Sequence, residues 1–271
     1  MTSPYAAPVE LGSLLFTLVE PARDAAVAYH RWYERDHFYS GCLVGPGILS
    51  GRRFVATRDL KALRLPRPLP ASSPLGDAMR GSYLALYAVM AGAHATFFDW
   101  AVERVNDLHA CGRMFAAREH VQTEVCDYRG GVFRDDDGVP AALALDHDYP
   151  GLAVLCLERE PGVDDAALAR WLDDELLGPR LAGSPIAQCQ RFTPRPLPAG
   201  APGDTQAEGR DAASRQSLVL AFLESDPRAA WRAHVAPLAG AIEREGVARL
   251  GWASPFVPTR AGTDAFADEL W

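Results

Sequence analysis

The chain has 271 residues, with 27 Lys and Arg against 35 Asp and Glu, a formal net charge of −8 and a pI near 5.4. With 48% hydrophobic and 23% charged residues, it reads as a folded globular protein, long enough for one large domain or two of roughly 130 residues. An acidic balance without a basic run excludes broad nucleic-acid binding, which needs clustered Lys and Arg to displace counterions. The apolar runs fall far short of the roughly 20 residues of a membrane span.

The opening MTSPYAAPVELGSLLF lacks a charged start and a long apolar stretch, so it does not read as a signal peptide. Cys42, Cys111, Cys126, Cys156 and Cys189 are scattered and never form CxxC. They read as reduced thiols rather than a disulfide or zinc framework, and a cytoplasmic location is expected.

In chain order, Leu11 to Glu20 reads as a strand and Asp24 to His37 as a helix. Arg52 to Thr57 and Ser82 to Met90 read as strands, separated by a proline-rich loop. Phe97 to Met114 carries apolar residues with helical spacing, and Val121 to Tyr128 alternates as a fourth strand. The same βαββαβ order then recurs: strand 152–158, helix 164–177, strands 186–192 and 217–223, helix 227–245 and strand 247–256. Trp32 matches Trp171, Arg53-Phe54 matches Arg191-Phe192, and Trp100 falls near Trp231.

The expected architecture is therefore α+β: two tandem ferredoxin-like βαββαβ halves, residues 1–148 and 149–271. Strands such as SYLALYAVM are apolar on both faces, so the half-sheets are expected to pack face to face. A hairpin is expected near 130–148, around the DDDG turn.

The densest chemical constellation is the run from Tyr29 to His37. On an α-helix, Tyr29, Trp32, Tyr33 and Asp36 share one side, and His30, Tyr33, Glu34 and His37 an adjoining one. Aromatic bulk beside imidazoles suits a pocket for a flat, partly apolar ligand, and His is the side chain best placed to move protons near neutral pH. Arg53 on the next strand is suited to hold a carboxylate or a developing oxyanion. Tyr83 and Tyr87, four apart on the third strand, and His120 at the start of the fourth are placed to line the same cavity. His30, Glu34 and His37 have workable metal spacing but lack HExxH and a further ligand, so no metal site is expected.

Trp32-Tyr33-x-x-x-His37, then Pro46-Gly47 and Arg53-Phe54, resembles the signature of EthD-like proteins in the dimeric α+β barrel superfamily. The resemblance covers roughly the first 60 residues. It implies a ligand cavity between sheet and helices, His37 as acid–base residue, and a barrel closed within one chain by the tandem repeat. The superfamily includes cofactor-independent cyclases, dehydratases and isomerases, quinone-forming monooxygenases and haem enzymes.

Where the first half has Tyr33 and His37, the second has Leu172 and Leu176, so one site per chain is expected, in the first half. The leading expectation is a cofactor-independent lyase, cyclase or isomerase on a polyketide-like, aromatic or enolisable substrate. His37 and Tyr33 would move the proton and Arg53 would hold the oxyanion, with Trp32, His30, Tyr83, Tyr87 and His120 around the substrate. The alternatives are a non-catalytic small-molecule binding protein and a haem-dependent oxidoreductase or monooxygenase. A small-molecule substrate is the expected partner, with no nucleic acid or membrane, on a monomer or homodimer.

Overall fold

The computed structural model describes residues 9–202 and 215–271. Eight strands carry the fold: β1 (Leu11–Pro21), β2 (Ile48–Val55), β3 (Tyr83–Met90), β4 (Arg118–Phe133), β5 (Gly151–Arg159), β6 (Ile186–Arg195), β7 (Gln216–Leu223) and β8 (Ala248–Pro258). They form a closed antiparallel barrel in the order β1-β3-β2-β8-β5-β7-β6-β4.

This closed barrel corrects the expected pair of ferredoxin-like halves stacked sheet on sheet. Two separate sheets would leave strand edges open, and unpaired edge N–H and C=O groups favour closure. β4 closes one seam by pairing with β1 through Ser13↔Asp127 to Pro21↔Arg118 and with β6 through Val125↔Arg195 to Phe133↔Gln188. Its register shifts between Tyr128 and Gly131, where Gly130 has φ +105°. At Gly131 a Cβ would lie 2.5 Å from the Cys189 carbonyl oxygen, so only glycine allows the approach to β6. The other seam is short, Phe54↔Pro258 and Val55↔Val257 between β2 and β8. Because β4 runs on to Phe133, residues 130–148 form no hairpin; the DDDG stretch is a turn.

Every residue of β3 is buried, because the barrel is filled inside and covered outside. Phe16 of β1 meets Trp252 of β8 with ring centroids 6.3 Å apart, and the Trp252 indole N–H donates to Gln122 Oε1 of β4 at 3.0 Å. β8 neighbours neither β1 nor β4 in the barrel order, so these contacts cross the interior.

The helices lie outside the barrel. α1 (Ala26–Trp32) runs into a wider π-helical stretch, Tyr33–Leu43. α2 (Arg58–Lys61) is a single turn, and α3 (His94–Ala110) is the longest helix. α4 (Asp165–Arg170) also runs into a π-helical stretch, Trp171–Leu177, and then α5 (Gly178–Leu181). α6 (Pro227–Ala230) leads through Trp231–Val235 to α7 (Ala236–Glu245). Among the described residues no helix is long and apolar enough to cross a membrane.

Candidate functional site

The π-helical stretch after Trp32 decides which side chains meet. On an α-helix, residues five apart point roughly 140° away from each other. The wider turn, with its i→i+5 pattern, instead stacks His37 on Trp32, ring centroids 4.6 Å apart and 17° between planes. Tyr33 meets the same imidazole edge-on at 5.2 Å. Gly41 sits against the ring's Cε1–Nδ1 edge, where a Cβ would come within 2.9 Å of Cε1. The ring is therefore held on a face and an edge.

His37 lines an apolar cavity between the barrel wall and α3. Leu15 and Thr17 of β1, Tyr87 of β3, and Thr123 and Val125 of β4 form its floor. Phe98, Ala101, Val102 and Val105 of α3 cover it, four positions that share one helix face. Leu197, Pro198 and Ala201 stand at one side. The cavity measures about 100 Å³, or about 750 Å³ when all atom-free space out through its mouth is counted.

Burial sets the protonation of His37, Tyr33, Tyr87 and Cys42 at its wall. Burial, then the charges of Arg118 and His120, lower the His37 pKa to about 3, so the imidazole is neutral at pH 7. Its Nδ1 is buried and has no hydrogen-bond partner among the described residues. The Tyr33 and Tyr87 hydroxyls lie 3.0 Å apart. Burial pushes Tyr33 up to about 12, Tyr87 well above its ordinary value and the Cys42 thiol to about 12, so all three stay protonated. His120 Nδ1 lies 3.0 Å from Thr123 Oγ1.

The expected site residues divide between two places. Tyr33, His37, Tyr87 and His120 line the cavity. Trp32 stands behind His37 and donates its indole N–H to the Arg113 carbonyl at 2.8 Å. His30, Tyr83 and Arg53 lie elsewhere: His30 Nε2 donates to the Thr263 carbonyl at 2.9 Å, and the Arg53 guanidinium carbon lies 5.4 Å from the Tyr83 ring. Arg53 stacks on Tyr33, 4.6 Å from the ring centroid, but is not part of the cavity wall. The cation at the wall is instead Arg118, which no sequence signal marked, because only β4 pairing with β1 brings it there. Among the described residues no group of three or more His, Cys, Asp or Glu is placed to hold a metal ion.

No protein-family model and no curated protein matches the sequence. Solved structures do match in fold. A candidate chlorite dismutase is 13% identical at a TM-score of 0.51, over 95% of this chain and 97% of its own. An anthrone oxidase-like protein is 10% identical at 0.52, over 94% and 98%. The barrel fold is thus shared with these two structures. A haem complex of a DypB variant from Rhodococcus jostii is 10% identical over 95% of both chains at a TM-score of 0.41.

Proposed function

We propose that this chain is an oxidoreductase of the monooxygenase type that acts on a flat, mostly apolar aromatic or enolisable molecule in the His37 cavity. The carrying observation is the cavity itself: largely apolar, with the neutral His37 imidazole and the protonated Tyr33 and Tyr87 phenols at its wall. The two neighbours with TM-scores above 0.5, named for chlorite dismutase and anthrone oxidase, support redox chemistry over the lyase, cyclase or isomerase reading. The narrower EthD resemblance rests on Trp32, Tyr33, His37, Pro46-Gly47 and Arg53-Phe54 alone.

With its pKa near 3, His37 is a weak base and a good neutral acceptor. It would take the hydrogen bond of a substrate enol or phenol O–H and so orient the ring. Arg118, at the same wall, would stabilise charge that builds on that oxygen as the activated CH2 carbon passes electrons to dioxygen, the external oxidant; one oxygen atom becomes the new carbonyl and the other leaves with the two hydrogens as water. The apolar lid of α3 excludes water and strengthens both interactions.

A haem in this cavity would have to be held by the same residues. The imidazole that would bind iron leaves Nδ1 without the acceptor that orients metal-bound histidines. The hollow under α4, lined by Leu168, Leu172, Arg191 and Phe192 among others, contains no histidine. In this arrangement the residues do not fit a haem, and no step is routed through one. An absorption spectrum of protein from haem-replete cells checks this directly, since a Soret band would reverse it.

The activity test is oxygen uptake with anthrone as probe, read together with quinone absorbance. Wild type is expected to consume oxygen and form quinone, with His37→Ala reduced at least 100-fold. Thermal stabilisation by anthrone without oxygen uptake would replace this reading with the binding-protein alternative.

A further inference from the structure

On the far side of Tyr33 from the His37 cavity, several buried polar atoms are without hydrogen-bond partners among the described residues. They are Arg53 Nη2, Glu34 Oε2, His30 Nδ1 and the Tyr83 hydroxyl. Buried polar groups are nearly always paired, and of these Arg53 and Glu34 border a hollow that a hydrogen-bonding ligand can enter. Arg53 is only 6% exposed and forms no ion pair with any described residue. Its Nη1 donates a long bond, 3.4 Å, to the His30 carbonyl, and Tyr33 and Tyr83 supply cation–π contacts. None of these contacts supplies an acceptor to Nη2.

A hollow of about 160 Å³ reaches Arg53 from solvent, lined by Phe38, Tyr39, Gly51 and Thr259 as well as Glu34 and Arg52. Arg52 is already engaged, by Asp148 at 2.7 Å and by the His147 carbonyl. Glu34 is partly engaged: Oε1 accepts from the Gly262 N–H at 2.9 Å, and Oε2 lies 3.6 Å from His30 Nε2. The matching arginine of the second half provides an internal control. Arg191 Nε and Nη2 each reach Asp173 at 2.7 Å, whereas Glu34, which stands at the position of Asp173 in the first half, is turned to the Gly262 N–H and His30 and leaves Arg53 without that pair.

We propose that Arg53 is the anchor of a second ligand site, separate from the His37 cavity, which binds a small aromatic carboxylate. The ligand's carboxylate takes the place that Asp173 holds at Arg191, and its ring lies against Phe38 and Tyr39. The C-terminal segment 259–264 closes the hollow through Gly262 on Glu34, Thr263 on His30, and Asp264 on Arg31 at 2.8 Å.

The test is calorimetric titration at pH 7 with benzoate, and with benzamide as its uncharged counterpart. Wild type is expected to bind benzoate at least ten-fold more tightly than benzamide. Arg53→Gln should erase that preference, and Glu34→Gln, which removes the negative charge across the hollow, should tighten benzoate about three-fold. Val102→Trp, which fills the other cavity, should leave benzoate binding unchanged, so failure here is separate from failure of the proposed function. No charge preference in wild type would mean that water serves these groups, and would overturn the site. So would a preference that survives Arg53→Gln, or one lost in Val102→Trp, which would assign the binding to Arg118. If Arg53→Gln does not fold, unchanged benzoate affinity in Glu34→Gln overturns the proposal.

Discussion

The helix and strand from Ala26 to Val55 and those from Asp165 to Arg195 are two uses of one frame. Each helix starts as an α-helix, widens into a π-helical stretch at or just after a tryptophan, and packs against a strand bearing an arginine and a phenylalanine. In the second region the frame is filled. Leu172 and Leu176 are buried beside Trp171, and Arg191 is neutralised by Asp173. In the first region Tyr33 and His37 stand where those leucines are, with a cavity beside them, and Arg53 has no acid among the described residues. The shared residues hold helix to barrel; the residues that differ leave space and unmet polar groups.

The largest expected difference is in pH dependence. Folded His37 stays neutral down to about 3, whereas an unfolded histidine titrates near 6.5. Below about pH 6.5 the unfolded chain therefore binds a proton that the folded chain refuses. Stability falls as pH falls, by at most about 1.4 kcal/mol per pH unit, until the folded pKa is reached. His37→Leu makes the first region like the second and removes this slope. Denaturant melts at pH 7 and pH 5 should show a loss about 2 kcal/mol smaller in the variant than in wild type, and equal losses would contradict the buried neutral imidazole.

How much of this was legible in the sequence follows from the range of the interactions. The eight strands showed as short apolar or alternating runs, because strand patterning is local. A closed barrel was expected only through the resemblance, and the way it closes did not show, because β4 pairing with both β1 and β6 depends on Gly130 and Gly131, which read only as the end of a strand. His37, Tyr33, Tyr87 and His120 were found as residue types, but their grouping assumed α-helical faces. The π-helical stretch moved His37 onto Trp32 and away from His30, and so divided one expected site into two places. Arg118 carried no signal at all, since its role depends on its position in the barrel.

Next in size is the ion pair of the filled region. Arg191→Met leaves the Asp173 carboxylate without its partner in a partly buried setting. A loss of about 2 kcal/mol is expected, between the values for exposed and fully buried pairs. The urea midpoint should drop with an unchanged slope. Tyr33→Phe in the open region removes the hydroxyl contact to Tyr87 and leaves that phenol unpaired at the cavity wall. About 1 kcal/mol is expected there by the same measurement.

The smallest effect is expected at the matching arginine of the open region, and it is the most discriminating. Arg53→Met removes a buried cation that no acid of the described chain neutralises, so no carboxylate is orphaned by the change. The loss of cation–π contact with Tyr33 and Tyr83 is offset by relief of desolvation, and stability should stay within about 1 kcal/mol of wild type. A loss as large as that of Arg191→Met would mean that Arg53 has found a partner in the folded chain, with Glu34 the nearest acid on the hollow's wall. An unchanged midpoint would mean that this arginine is kept for something other than holding the fold together, since a methionine would serve the fold as well.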